Sequence, residues 1–562
     1  MNHIHRDEPF DDFARQPLLA RRLSHGGPGV AWADVDGDGR DDLLIGSGAG
    51  GELALRKNLG GKFERLVSPL PTAFEDHTAV LVANRELFVG LSNYEAPTST
   101  NTVALTISLA KGGPMKVLPP SAFGTGPMAL ADIDGDGDLD WFVGGQAVAG
   151  RYPEPATSRL FRNDAGAFTL AQEFKDSGQV NGAVFTDLDE DGFPELVLAC
   201  EWSPLKLFRN QRGHFTPWNP PVTGPAFNLQ PSTFNSLSGF WQGITAADFD
   251  GDGRMDFVAS NWGRNSPYQS VVREGARIFY GDFSGAGRVD GIEAYVDQGR
   301  VVPAPGLETL ARALPWLRQR FPTHHAFAAA TMAEVLGDHS PLAKELRVSW
   351  TDLTVFLNRG DHFETRALPV EAQFAPAFGI VAADFDGDGR ADLFLAQNFF
   401  ETDGETSRYD AGRGLLLRGD GRGGFTPLSG EESGLKIYGA QRGAAAADYD
   451  GDGRLDLAVG QNRADTKLFH NETARPGLRV RLRGGAGNLS AIGAVLRRGA
   501  GAAQEIHGGS GYWSQDSATA VLGGDTAQIT VRWPGGKTNV VSVPSQVRAI
   551  TIESDGTVRV EK

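Results

Sequence analysis

Apolar residues in this chain come in short runs, each broken by glycine, asparagine or aspartate before a helix could complete its turns. That is the pattern of strands joined by tight connections. The stretch 379–397, GIVAADFDGDGRADLFLAQ, shows the unit: one apolar run enters, an acidic loop follows, and a second apolar run leaves. The loop recurs at 34–42, 132–140, 187–195, 248–256, 384–392 and 448–456. A lone DxDxDG is an ordinary solvated turn, but six in register are a repeat. At 282–290 the loop has Ser284 and Ala286 in place of carboxylates, and at 78–90 the strands persist without a loop.

More strands follow each pair. Residues 29–66 read as four (GVAWADV, DDLLIGS, ELALRKN, KFERL), and 78–110, 126–170, 182–216, 243–366, 379–427 and 443–471 repeat the plan. The prediction is an all-β fold, a seven-bladed β-propeller over 18–474. The innermost strands are rich in glycine and alanine (GITAAD, GIVAAD, GAAAAD), as expected where strands crowd around a channel. The last unit lacks a fourth strand; the run 18–23 is expected to supply it and close the ring. Leu307, Leu310, Leu314 and Leu317 repeat at helical spacing, so blade five is predicted to carry a helical insertion over about 285–345, divided at Pro315. A second helix is expected over 324–336. The aromatic loop 217–235, with Trp218, Phe227 and Phe234, is expected to cover one face or line its mouth. Residues 475–562 continue as strands without acidic loops and read as a separate small β domain.

Each acidic loop places carboxylates at positions 1, 3, 5 and 9, a glycine at position 6 and a backbone carbonyl at position 7. This is the oxygen donor set of calcium. The predicted ligands are Asp34, Asp36, Asp38, Arg40 and Asp42; Asp132, Asp134, Asp136, Asp138 and Asp140; Asp187, Asp189, Asp191, Phe193 and Glu195. The other three loops supply Asp248, Asp250, Asp252, Arg254 and Asp256; Asp384, Asp386, Asp388, Arg390 and Asp392; Asp448, Asp450, Asp452, Arg454 and Asp456. In each set the position-7 residue contributes its carbonyl. About six structural Ca2+ ions are expected. They also account for the charge: the formal net value of −17 would become about −5 with six bound. No basic stripe offsets the acidity, which argues against a nucleic-acid partner. No apolar run is long enough to span a membrane. The one cysteine, Cys200, permits no intrachain disulfide and reads as a small buried residue.

Strand alternation puts the connections between second and third strands on the face opposite the acidic loops. They gather Trp202, Trp262, Arg264, Asn265, Tyr268, Phe399, Phe400, Arg408 and Tyr409, a candidate ligand surface around the channel mouth. Asp410, Glu401 and Glu201 stand nearby as candidate acids. The same side chains would equally serve to fill the channel entrance. Other motifs are discounted. Arg359-Gly360-Asp361 and Arg418-Gly419-Asp420 occupy turns between third and fourth strands, His507-Gly508-Gly509-Ser510-Gly511 lacks the strand and helix of a nucleophile elbow, and the His324–His325 pair has no third ligand.

The FxDGDGRxD units resemble the FG-GAP or VCBS repeats of integrin α-subunit propellers, while SGYWSQDS and VRWPGGK resemble two segments of the ASPIC/UnbV module. The combination is similar to cartilage acidic protein homologues and to the C-terminal half of long bacterial FG-GAP/ASPIC proteins. The resemblance implies a secreted or periplasmic, calcium-bound propeller, and the departures at Ser284 and Ala286 remove calcium from that loop. Residues 1–17 are polar and lack a secretory h-region, so the export signal is expected to lie upstream. Two functions stay open: a binding or adhesion module for a glycan, protein or small molecule, or a cyclase- or lyase-type enzyme at the aromatic mouth. The absence of diagnostic catalytic spacing favours binding. The oligomeric state is not legible.

Overall fold

The computed structural model describes residues 2–96, 102–110, 113–225, 232–499, 501–524 and 527–561. The repeated unit forms seven small antiparallel sheets whose inner strands are Val30–Ala33, Asp76–Ala83, Thr125–Ala131, the second half of Ala167–Thr186, Ile244–Ala247, Ala377–Ala383 and Gln441–Ala447. Strand Ala167–Thr186 serves two sheets. Its first half pairs with Ala156–Asp164 and its second with Glu195–Ser203. The inner strands pack each against the next in chain order, and Gln441–Ala447 returns against Val30–Ala33. Their glycines are dictated by crowding. A Cβ on Gly243 would lie 2.2 Å from the carbonyl oxygen of Phe378, and one on Gly379 2.4 Å from that of Arg442.

The run 18–23 does not complete the seventh sheet, which has three strands, Gln441–Ala447, Asp456–Gln461 and Lys467–Phe469. Instead the N-terminal segment lies across the face opposite the acidic loops. Arg21 bridges to Thr402, and Arg22 N–H donates to the Glu401 carbonyl (2.8 Å). The first and seventh sheets are joined by side chains. Trp32 Nε1 donates to Ala445 O (3.1 Å), and its ring stacks 5.9 Å from Tyr449 with Phe63 beside both.

The insertion in the fifth sheet starts earlier than its leucine pattern indicates. A separate four-stranded sheet, ordered Arg300–Pro303, Asp290–Asp297, Ala276–Gly281, Lys344–Val348, comes with it, so the depleted loop 282–290 belongs to that sheet and not to the ring. Helices Leu307–Ala313 and Leu317–Arg320 flank Pro315, and Leu307, Leu310, Leu314 and Leu317 are all buried on Phe283 and Ile292. The region 324–336 is two short helices, His324–Ala328 and Met332–Leu336. The described parts of the aromatic loop, 217–225 and 232–235, lie away from the mouth. Phe234 is buried among Phe257, Phe356 and Phe363 at the outer part of the fifth sheet, Trp218 lies 6.0 Å from Phe363, and Phe227 falls outside the described residues.

Residues beyond 475 form two further four-stranded sheets, with Leu478–Arg483 parallel to Ala549–Glu553 in one and Val495–Arg498 against Gln528–Arg532 in the other. From them residues 507–517 project into the ring and touch every inner strand but none in excess. Leu130 N–H donates to Gly508 O (2.7 Å), the His507 ring nitrogens face the carbonyls of Phe185 and Ala246 (3.2 Å each), and Ile244 pairs with Gly511. Ala446 N–H donates to Asp516 Oδ1 (2.7 Å), Gln515 exchanges backbone bonds with Val30 and Trp32, and its side chain bonds both backbone groups of Val82. Gly511 comes against Ile380 O. Residues 507–517, with the SGYWSQDS segment, therefore fill the space among the inner strands, and Gly508, Gly509 and Gly511 let backbone meet backbone there.

Candidate functional site

Each acidic loop is organised by its own backbone. Asp34 accepts N–H groups from Gly37 (2.7 Å) and Gly39 (2.8 Å), and both glycines are left-handed, at φ 81° and 87°. The position-9 carboxylate ties the loop to its sheet: Asp42 accepts from Val35 N–H (3.1 Å) and Asn58 N–H (2.7 Å). Asp140, Glu195, Asp256 and Asp456 repeat this with Asn163, Asn210, Asn358 and Asn471. Four of these asparagines also reach the preceding sheet. Asn210 Nδ2 donates to Ile133 O, Asn358 Nδ2 to Leu188 O, Asn471 Nδ2 to Phe385 O and Asn58 Nδ2 to Tyr449 O. Sequence reading took these positions only as turn residues; their recurrence in KNLGG, RND, RNQRG and NRGD is the signal that could have found them.

The carboxylates converge. Donor atoms of Asp34, Asp36 and Asp42, of Asp132, Asp134 and Asp136, and of Asp187, Asp189 and Glu195 lie within 4.8 Å of one another. Burial pushes Asp132 up to about 6, Asp140 to about 7, Glu195 to about 8 and Asp392 to about 7. A cation at the centre would oppose that shift. A basic side chain beside the turn leans on position 3 in every loop: Lys57 on Asp36, Arg162 on Asp134, Arg209 on Asp189, Arg359 on Asp250, Arg418 on Asp386 and His470 on Asp450. The C-terminal domain covers this face. Arg479 pairs with Asp448 (2.9 Å), Arg532 with Asp187, and Ala503 N–H donates to Asp248 (3.0 Å).

On the opposite face lies a cavity of about 710 Å³ walled by Trp262, Tyr268, Tyr295, Tyr409 and Phe13, with Glu293 and Arg21 in its lining. The Arg21 guanidinium is buried 4.7 Å from the Trp262 ring centre, is paired with Glu201, and donates to Tyr152 Oη (2.8 Å). Tyr152 donates to Glu201 (2.5 Å), and Trp202 Nε1 donates to Tyr152 (2.6 Å). Arg21 and Tyr152 thus hold the Glu201 carboxylate, which does not line the cavity. Asp410 is exposed, and Glu401 faces Arg22 (3.6 Å), so neither lines the cavity.

Trp262 packs on Tyr409 and Phe399 (ring centres 5.1 and 5.5 Å). Trp202 lies behind on Phe240 (4.7 Å). Six of the expected ligand contacts sit outside the cavity lining: Trp202 and Phe399 pack behind it, Arg264 pairs with Asp352 (2.6 Å), Asn265 donates to Phe374 O (3.0 Å), and Arg408 lies over Phe400 (5.4 Å). Three acids line the cavity, Glu293, Asp403 and Glu405; Glu293 accepts from Tyr268 Oη (3.0 Å) and is raised by burial despite nearby Arg21. It comes from the insertion's own sheet, which is why the ring repeat did not reveal it.

Sheets of this form with acidic first loops define a repeat protein of the FG-GAP type. Comparison with family profiles agrees: an FG-GAP-like repeat matches residues 132–198 and 187–259, an FG-GAP repeat matches 440–474, and the ASPIC and UnbV family matches 484–559. The chain carries FG-GAP repeats followed by a C-terminal ASPIC/UnbV domain. Curated proteins give no match. Among solved structures, YCF48 bound to D1 peptide aligns with 84% of this chain and 100% of its own, at 10% identity and a TM-score of 0.36.

Proposed function

We propose that this protein is a seven-bladed propeller clamped by calcium at its six acidic loops, working outside the cytoplasm as a binding module through the face opposite those loops. The observation that carries the reading is the aromatic cavity of about 710 Å³ over the ring, since the acidic face is covered by the chain's own C-terminal domain. Concave aromatic sites with few polar groups suit small ligands or a projecting group of a glycan or protein. The loops fit calcium by donor chemistry: oxygen ligands only, on a glycine-shaped turn. Asp187 Oδ1, buried without a hydrogen-bond partner, is the kind of atom a cation would satisfy. Extracellular calcium levels suit such sites, which supports the location.

A second reading is favoured by Glu293, whose raised carboxyl beside Tyr268 has the character of a general acid. An enzyme of cyclase or lyase type would use it to protonate a substrate held among the aromatic rings. A thermal-shift and native mass-spectrometry screen of glycans, peptides and small molecules separates the two. Binding at the cavity is expected to be lost in Trp262→Ala, and a ligand retained unchanged by that variant refutes the site. Product formation that stops in Glu293→Gln while binding persists would select the enzyme.

A further inference from the structure

Away from the acidic loops and the aromatic cavity, the N-terminal segment and the second sheet bring Asp7, His25 and Glu95 together, with one donor atom of each within 4.8 Å of the others. The side chains of Asp7 and His25 are each 1% exposed. His25 Nδ1 and Asp7 Oδ2 are 2.8 Å apart, a proton's width. Two oxygens of the group, Asp7 Oδ1 and Glu95 Oε1, are buried with no hydrogen-bond partner among the described residues. Bare buried oxygens of this kind are costly and call for a partner. Asp76, 5% exposed, faces the same pair of carboxylates and has one hydrogen bond, from Ala49 N–H (2.9 Å).

The positive charge at hand does not balance this. Arg15 spends its guanidinium on the carbonyls of Tyr94, Glu95 and Ala96 and on the Phe10 ring, and Arg22 turns to Asp12, Glu401 and Phe10 O. Two buried carboxylates and the half-buried Glu95 therefore share one imidazole.

We propose that Asp7, His25 and Glu95 form a second kind of metal site, one that takes a divalent transition-metal cation such as Zn2+ in place of the proton between His25 and Asp7. The donor set separates it from the acidic loops. One imidazole nitrogen with two carboxylates suits first-row transition metals, whereas calcium requires six or more oxygens, which this group does not offer. The bare oxygens of Asp7 and Glu95 gain a partner, and binding releases a proton. The consequence is mechanical. His25 precedes the Gly26–Pro28 turn that enters the first inner strand, so a cation here would fasten the N-terminal segment, including Arg21, over the ring.

The test is Zn2+ uptake by full-length protein stripped of metal and held in excess Ca2+ so that the acidic loops are filled. Calorimetry and elemental analysis after gel filtration are expected to find one Zn2+ per chain. Uptake should weaken at least about tenfold in His25→Ala and in Glu95→Gln. Glu95→Gln is nearly isosteric and guards against a variant that fails to fold, with circular dichroism as the check. The double variant His324→Ala/His325→Ala should leave uptake unchanged. No uptake, uptake indifferent to His25 and Glu95, or uptake lost in His470→Ala instead, which would place the ion at the acidic loop 448–456, overturns the proposal.

Discussion

Replacing Gln515 by alanine isolates one contact between the channel filling and the ring. The side chain accepts from Val82 N–H (2.7 Å) and donates to Val82 C=O (2.9 Å), and both residues are buried, at 3% and 6% exposure. The backbone bonds of residue 515, to Val30 O and from Trp32 N–H, both 3.0 Å, do not depend on the side chain and should keep the segment seated. Alanine leaves one donor and one acceptor without partners, at about 1–3 kcal/mol each, so the expected loss is about 2–6 kcal/mol. Gln515→Glu should cost more, because the carboxylate still accepts from Val82 N–H but sets a buried negative charge against Val82 C=O. Urea unfolding in saturating Ca2+, followed by tryptophan fluorescence, measures both. Because residues 507–517 bond to inner strands around the ring, wild-type protein should unfold in a single transition. A Gln515→Ala loss under 0.5 kcal/mol, or separate transitions for the two sets of sheets, would refute the reasoning.

Asn358→Ala removes donations to Leu188 O (2.8 Å) and Met255 O (3.2 Å) and the acceptor for Gly360 N–H (2.9 Å); Gly360 is exposed to water, so the two carbonyls set the loss, about 2–6 kcal/mol in the same assay. Burial raises Asp516 to about 6, so the folded state holds its proton more tightly than the unfolded chain. Its contribution to stability is then present below about pH 4 and lost as pH rises through about 6, and Asp516→Asn should gain up to about 3 kcal/mol at pH 8 and nothing at pH 4 by urea melts. Chelation of divalent cations should lower the melting temperature, and Ca2+ should restore it in proportion to RT ln(1 + [Ca2+]/Kd). Equal melting with and without Ca2+ would remove calcium from the acidic loops.

The leucines of 307–317, the divided helix at Pro315 and the acidic repeat were legible because local period and turn chemistry act over a few residues. The placement of 18–23 was not, since a short apolar run fits either an edge strand or a covering segment, and only its partners at Thr402 and Glu401 decide. Glu293 was hidden for a related reason. It belongs to a sheet built from residues 276–348, whose sequence carries a damaged copy of the acidic loop and so looked like part of the ring. Glu201 looked like a candidate acid beside Trp202, but its value depended on Arg21, nearly two hundred residues away in the chain.

By itself the sequence determined the repeating strand–loop–strand unit, the carboxylates at each loop, the small residues of the inner strands and the change of character after residue 474, all of them consequences of spacing along the chain. Tertiary structure alone decided that the C-terminal domain fills the channel and covers the acidic face, that the N-terminal segment crosses the other, and that a cavity holding Glu293 remains between that segment and the insertion. The physical reason is range. Strand pattern and loop donors follow from neighbours within about ten residues, whereas burial, ion pairing and cavities follow from which distant surfaces exclude water together.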